Sequence, residues 1–284
     1  MTQLMTIADL SDFPKKLLGE ITVVNRIEAM LEDMNLEPSK IITPPMEFGD
    51  EGRREDIFHS SQIALKSGVS LNGKYPMGCG RQLFYSYTGE PGMNAFQPRL
   101  RRIFDTGTAI HTQLQSYLTT IAANDPNFDF HLEADIDPDV NHIADVFDLS
   151  GHVDGVITVT AGKHKVRFGL EIKSINDAGY KGTNGVHPEH KIQGTIYQRC
   201  LDLPYMLFLY YNKNDSNMVE FIEPFDPYKW DEVEKKINMV RSCVFNGELP
   251  PRETSFACKT CKWQKPCDPP KKMKAAKARA IFRK

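Results

Sequence analysis

VRFGLEIKSI, residues 166–175, is the stretch on which the reading of this chain turns. Val166, Phe168, Leu170 and Ile172 share one parity, so as a strand they face a core, while Arg167, Gly169, Glu171 and Lys173 face the other way. Glu171 and Lys173 therefore emerge side by side. An acid and a base two residues apart on a strand often form only a surface ion pair. The same pair is also what metal-dependent phosphodiester cleavage requires: the carboxylate holds a divalent cation, and the ammonium steadies the attacking water or the developing phosphorane charge. E-x-K alone has low specificity, so its weight depends on what the rest of the chain places beside it.

Upstream, residues 128–136 alternate, with Phe128, Phe130, Leu132, Ala134 and Ile136 inward and Asp129, His131, Glu133 and Asp135 outward, as in a half-buried strand. Residues 143–159 carry a second and a third strand with a bend at Gly151. Asp154 falls there among Val153, Val156 and Ile157, where a lone carboxylate is costly unless it meets a partner or a cation. A helix capped near Asp105 or Thr106 and running to about Ala122 buries Ile110, Leu114, Tyr117, Leu118 and Ile121, with His111 at the edge of that stripe. A hairpin turn at residues 161–164 leads into the central stretch. Downstream, a polar loop precedes the helical segment EHKIQGTIYQRCLDL, on which Gln193 and Tyr197 share a face. Strands at 205–211 and 218–223 and an amphipathic helix at 229–245 follow, the helix burying Trp230, Val233, Ile237 and Val240 and stopping at Gly247.

The 284 residues, 40% hydrophobic and 25% charged, suit a globular protein with one large core or two modest ones. A net charge of −2 excludes a uniformly basic coat, so any nucleic-acid contact must come from local patches. One such patch is the segment 258–284, with ten Lys or Arg and a single acid, Asp268. Arg99, Arg101 and Arg102 either solvate a helix end or grip phosphates. The amino end lacks an apolar secretion-signal core, and the longest apolar run, 205–211, is too short to span a bilayer. A cytoplasmic protein without membrane attachment is expected. Residues 1–45 read as a partly amphipathic helix with Ile27, Met30, Leu31 and Met34 on one stripe, broken at Pro44 and Pro45. GVSLNGKY at 68–75 nearly matches a phosphate-binding loop, but Tyr75 replaces the magnesium-ligating hydroxyl and no apolar strand leads into it.

Six cysteines in a reducing compartment point to metal rather than disulfides. Cys258, Cys261 and Cys267 form C-x2-C-x5-C, and Cys79 stands alone far upstream in MGCGRQLFYSYTG. Four thiolates serve either zinc or an iron–sulfur cluster. A zinc ribbon brings two paired knuckles, whereas here a lone cysteine returns across the whole core, which favours a [4Fe-4S] cluster with structural Zn2+ as the alternative. Cys200 and Cys243 lie on apolar helix faces and read as inert.

In order, the chain offers G-x3-H at Gly107 and His111, Glu133 on a strand, Asp154, Glu171-x-Lys173 and Gln193-x3-Tyr197. This series, with its helix–strands–helix setting, resembles the RecB-type branch of the PD-(D/E)xK nucleases, which includes the AddB nuclease domain and the CRISPR-associated adaptation exonucleases. In the iron–sulfur members one cysteine precedes the core and three follow it, as Cys79 and the Cys258, Cys261, Cys267 group do here. Asp154 sits in G-H-V-D-G rather than behind the proline of the superfamily name. The resemblance covers roughly residues 75–270.

It implies an α/β fold with a mixed central sheet flanked by helices, a restriction-endonuclease-like core, and a small cysteine-ligated metal-cluster subdomain. The implied organisation is an N-terminal helical extension at 1–74, the nuclease core at 75–250, a cysteine-rich segment at 251–270 and a basic tail at 271–284. It further implies that Asp154, Glu171, the Ile172 carbonyl and His111 hold Mg2+ or Mn2+, that Lys173 activates or orients water, that Gln193 and Tyr197 position the scissile strand, and that Glu133 is an accessory acid. The expected function is a metal-dependent DNA exonuclease acting on ends or single strands, in a phage or CRISPR-like setting, with a helicase or integration partner. The alternative is a DNA-end-binding adaptor in which cleavage is secondary. Lys173 discriminates, because an adaptor has no need of an ammonium beside a metal-bound carboxylate.

Overall fold

A strand with no polar face must be covered on both sides, and YMLFLYYN is such a strand. In the computed structural model, which describes residues 3–12, 22–33, 40–43, 56–92, 98–161 and 164–267, it lies buried almost throughout. In chain order the described elements are β1 (Gln3–Leu4), a 3-10 turn (Ile7–Asp12), α1 (Val23–Asp33), β2 (Phe58–His59), α2 (Ser60–Ile63), β3 (Gly68–Val69), β4 (Pro76–Met77), α3 (Gly80–Tyr87), α4 (Pro98–Asn124) and β5 (Phe128–Ile136). They continue with α5 (His142–Phe147), β6 (Leu149–Ala161), β7 (His164–Ile175), α6 (Asp177–Lys181), α7 (Pro188–Leu201), β8 (Tyr205–Asn212), β9 (Met218–Pro224), α8 (Pro227–Asn246), a second 3-10 turn (Phe256–Thr260) and α9 (Gln264–Cys267).

The sheet is mixed. β5, β6 and β7 form an antiparallel meander, the α6–α7 connection returns the chain to β8 parallel to β7, and β9 closes the edge antiparallel. β1 and β2 add short parallel pairings to β7 and β6. Residues 1–74 therefore supply strands to the central sheet as well as the helix α1, which buries Val23 and Ile27. Side chains alternate between two cores. Val166, Phe168, Leu170 and Ile172 of β7 join Leu207 and Leu209 of β8 beneath α1 and α4. Met206, Phe208 and Tyr210 enter the opposite core beneath α7 and α8, where Trp230, Val233, Ile237 and Val240 are buried as their spacing predicts. Glu171 stands opposite Phe208 and Lys173 opposite Tyr210 in register. The polar parity of β7 thus faces a second helix layer, not solvent.

Two expectations need correction. Residues 142–147 form a helix, because Asn141 caps it by accepting from the Ala144 N–H at 2.9 Å, and Asp148 in the left-handed region (φ 51°) then turns the chain into β6. One long strand, not two, follows. Helix α4 begins at Pro98 rather than near Asp105, since proline's fixed φ suits a first turn and Arg101 pairs with Asp105 at 2.8 Å one turn on. At the far end of the chain Gly247, at φ 69°, stops α8. Met34, Pro44, Pro45 and the basic tail at 271–284 lie outside the described residues. Among the described residues no helix is long and apolar enough to cross a membrane.

Candidate functional site

The β6–β7 ladder stops at the Gly155–Leu170 pair, one residue short of Asp154. There the Asp154 carboxylate does what a strand carbonyl would have done, accepting the Ile172 N–H at 2.6 Å. Its other oxygen lies 3.1 Å from His111 Nδ1. One turn along α4, Gln115 donates its side-chain N–H to the Asp154 carbonyl at 2.9 Å. His111 and Gln115, four residues apart, hold this strand end between them. Sequence reasoning missed Gln115. Its one signal was a polar residue inside a buried stripe, four positions after His111.

On β7 Glu171 is only 4% exposed. Lys173 donates to the Glu171 carboxylate and, at 3.1 Å, to Gln193 Oε1. The Gln193 amide N–H donates to the Tyr197 hydroxyl at 2.7 Å, and Ser60 on α2 donates to the same hydroxyl at 3.2 Å. A continuous polar chain therefore runs from β7 across α7 to α2. It depends on a close approach: a Cβ at Gly194 would stand 2.6 Å from the Phe208 ring, so only glycine lets α7 settle this low on β8.

Burial pushes the Glu171 carboxyl up to about 7; the Lys173 charge opposes this and the nearby Asp154 charge adds to it. Burial works to lower the Lys173 pKa, but the Glu171 charge and hydrogen bond outweigh it and hold the ammonium above its usual range. His111 is likewise lowered by burial and raised further by Asp154, with a net rise. Burial drives Tyr197 far above the usual phenol range, which keeps it a neutral hydroxyl. Two carboxylates and one imidazole thus share a poorly solvated place. These are hard oxygen donors with a single borderline nitrogen, a set that fits Mg2+ or Mn2+. Among the described residues no three His, Cys, Asp or Glu are drawn close enough to form a ready-made ion cage.

The structure brings His111, Asp154, Glu171, Lys173, Gln193 and Tyr197 together. Glu133 stands on β5 between the Leu132–Gly155 and Ala134–Val153 pairs, hence opposite Asp154 in register, while its side chain lies outside the described residues. Arg99, Arg101 and Arg102 sit on the exposed start of α4. A further group passed unnoticed in the sequence. His187 and His190 stack with ring centroids 5.2 Å apart, and Tyr210 accepts the His187 backbone N–H at 3.1 Å and bonds His190 Nδ1 at 2.8 Å. Burial, then the charge of Lys173, lowers His190 to about 3 and keeps it neutral.

Far from this cluster in sequence, Cys79, Cys258, Cys261 and Cys267 line one cavity of about 60 Å³. Donors reach the sulfurs: Gln82 Nε2 to Cys261 at 3.3 Å, the Ser255 N–H to Cys258 at 3.4 Å, and Arg81 Nη1 to Cys267 at 3.6 Å. Burial raises the Cys79 thiol, and the backbone N–H groups of Gln82 and Arg81 oppose that rise. The four sulfurs thus share a cavity and receive N–H donors, but among the described residues they are not drawn together into a ready-made metal site. Cys200, by contrast, is pushed up to about 12 by burial.

No family model and no curated protein matches the chain. Among solved structures, a crystal structure of SSO0001 is similar at 15% identity and a TM-score of 0.40, over 87% of this chain and 94% of that one. An alkaline exonuclease, LHK-Exo from Laribacter hongkongensis, is similar at 16% identity and a TM-score of 0.40, over 66% of this chain and 88% of that one. The same enzyme in complex with dAMP gives the same identity and TM-score, over 66% and 87%. At these values the likeness carries no functional weight, and the reading rests on the site's own geometry.

Proposed function

We propose that the chain is a metal-dependent DNA exonuclease of the PD-(D/E)xK type. The observation that carries this is the convergence of Asp154, Glu171, Lys173 and Gln193, with His111 behind them, in one poorly solvated cluster. A divalent cation, Mg2+ or Mn2+, bound by Asp154, Glu171, His111 and the Ile172 carbonyl would supply Lewis-acid polarisation of the scissile phosphate. With such an ion held there, the Glu171 carboxylate would no longer occupy the Lys173 ammonium, and Lys173 would have donors to spare beside the reacting centre. Held cationic, it orients the attacking water or stabilises the phosphorane charge. Gln193 has its amide N–H fixed by Tyr197, so its carbonyl oxygen must face Lys173 and aim the ammonium. Tyr197, a neutral hydroxyl braced by Ser60, acts through Gln193.

The cysteine cavity supports a [4Fe-4S] cluster on Cys79, Cys258, Cys261 and Cys267, with structural Zn2+ as the alternative. In either case the centre would staple the start of α3 to the carboxyl-terminal segment. Iron and zinc analysis with the visible spectrum of anaerobically purified protein separates the two: a brown protein supports the cluster, and a colourless one loaded with stoichiometric zinc overturns it. The substrate reading is DNA ends or single strands. An end-labelled oligonucleotide incubated with Mg2+ and with Mn2+ tests the whole proposal. Metal-dependent loss of nucleotides from an end supports it, and intact DNA under every condition refutes it in favour of a DNA-end-binding adaptor.

A further inference from the structure

His190, Gln193 and Tyr197 stand three and four residues apart on α7, hence on one face of that helix, the face that carries the polar chain from Lys173. Beneath them Tyr210 is opposite Lys173 in the β7–β8 register, so the tyrosine and the lysine rise side by side toward that face, one strand spacing apart. The Tyr210 hydroxyl meets His190 Nδ1 at 2.8 Å. His187 stacks on the same ring with planes within 2° of parallel, and its backbone N–H holds the Tyr210 hydroxyl at 3.1 Å. One edge of the His190 ring is therefore fixed. The other edge is free: Nε2 meets no hydrogen-bond partner among the described residues, and the half-buried side chain leaves that atom open to solvent.

A bracing role for His190 uses Nδ1 and the ring face and leaves Nε2 without a purpose. Burial first and the Lys173 ammonium second keep the ring uncharged, against the pull of Glu189, so His190 lies within reach of the Lys173 charge. A neutral imidazole beside an ammonium supplies direction without further charge, which suits an anion that a cation already neutralises. We propose that His190 is a further substrate-contacting residue, its Nε2–H donating to a non-bridging oxygen of the phosphate that Lys173 serves. This needs the tautomer in which Nδ1 accepts from the Tyr210 hydroxyl, so Tyr210 is the positioning residue that sets it. No proton is transferred, and the ring stays neutral throughout. The proposal rests on the nuclease reading and adds to it a donor outside the Asp154, Glu171, Lys173, Gln193 and Tyr197 set.

Two amides separate the ring nitrogens, since an asparagine reaches the place of Nδ1 and a glutamine that of Nε2. Affinity for a fluorescent end-labelled oligonucleotide is measured by anisotropy in Ca2+, and its cleavage in Mn2+. His190→Asn keeps only the contact to Tyr210 and loses about tenfold or more in affinity and in kcat/KM, the worth of one hydrogen bond to a charged group, whereas His190→Gln keeps a donor toward the phosphate and stays within about threefold of wild type. Tyr210→Phe releases the tautomer and gives a smaller loss, which vanishes when His190 is already asparagine. Equal losses in the asparagine and glutamine variants, or wild-type behaviour in both, overturn the contact and leave the nuclease reading standing. The same difference in affinity in a protein that hydrolyses no DNA keeps the contact and removes the nuclease. A wild-type protein that neither binds nor cleaves DNA overturns both.

Discussion

Replacing Lys173 by methionine keeps most of the side-chain volume and removes the charge, and the structure sets two separate consequences. Glu171, 4% exposed, loses its one cationic hydrogen-bond partner. Breaking a buried pair from one side costs about 3–5 kcal/mol, because the remaining charge is left uncompensated. That cost must depend on pH. Glu171 already sits near 7, above the ordinary 4.5, and without Lys173 it rises further. A group whose folded pKa is raised contributes stability that is present below the unfolded pKa and is lost as pH rises through the folded value. The Lys173→Met protein is therefore closer to wild type in Tm at pH 6 than at pH 8. Activity behaves differently. An electrostatic or proton-transfer group at the reacting centre is worth about 10²–10⁴ in rate, and no choice of pH restores it. The double variant Glu171→Gln, Lys173→Met, which has no buried charge left to compensate, recovers Tm at pH 8 and stays inactive. Thermal melts at the two pH values, with end-labelled oligonucleotide digestion in Mn2+, measure both. Digestion at the wild-type rate by Lys173→Met, or recovery of cleavage along with stability in the double variant, would refute the role given to Lys173.

Gly194→Ala places a Cβ against the Phe208 ring, costs about 1–3 kcal/mol, and lowers cleavage by lifting Gln193 away from Lys173; chemical denaturation and the same digestion assay check both. The metal proposed for the cysteine centre would close a loop of ~180 residues between Cys79 and Cys258, worth about 5 kcal/mol on chain-entropy grounds, so the proposal expects Tm to fall steeply with a chelator and Cys258→Ser to reproduce the fall; an unchanged Tm in both removes the metal. His190, lowered to about 3 from 6.5, makes the folded state bind fewer protons than the unfolded between those values, so stability drops as pH falls from about 6.5. His190→Gln flattens that drop in a Tm-against-pH profile, and an unchanged slope assigns the acid sensitivity elsewhere.

What the sequence revealed and what it hid divide along a physical line. Periodicity is local, so the β7 alternation, the buried stripe of α8 and the stop at Gly247 were all legible, because each depends on residues a few positions apart. Asp154 could be named for the same reason, since a charge inside an apolar strand is an anomaly within its own neighbourhood, and Glu171 and Lys173 because they stand two residues apart on one strand face. Where the partners come from is not local. Nothing near Gln115 announces that it holds the Asp154 carbonyl, and nothing near Ser60 ties it to a tyrosine 137 residues away. Asn141 shows the converse. Its cap overrode the strand-like composition of the residues after it, as a hydrogen bond to the Ala144 N–H can decide where weak propensities compete. Burial also changes the meaning of Glu171 and Lys173. Parity alone makes them a surface pair, worth little. Only the second layer, α7 pressed onto β8 at Gly194, converts them into a desolvated pair whose charges must answer each other.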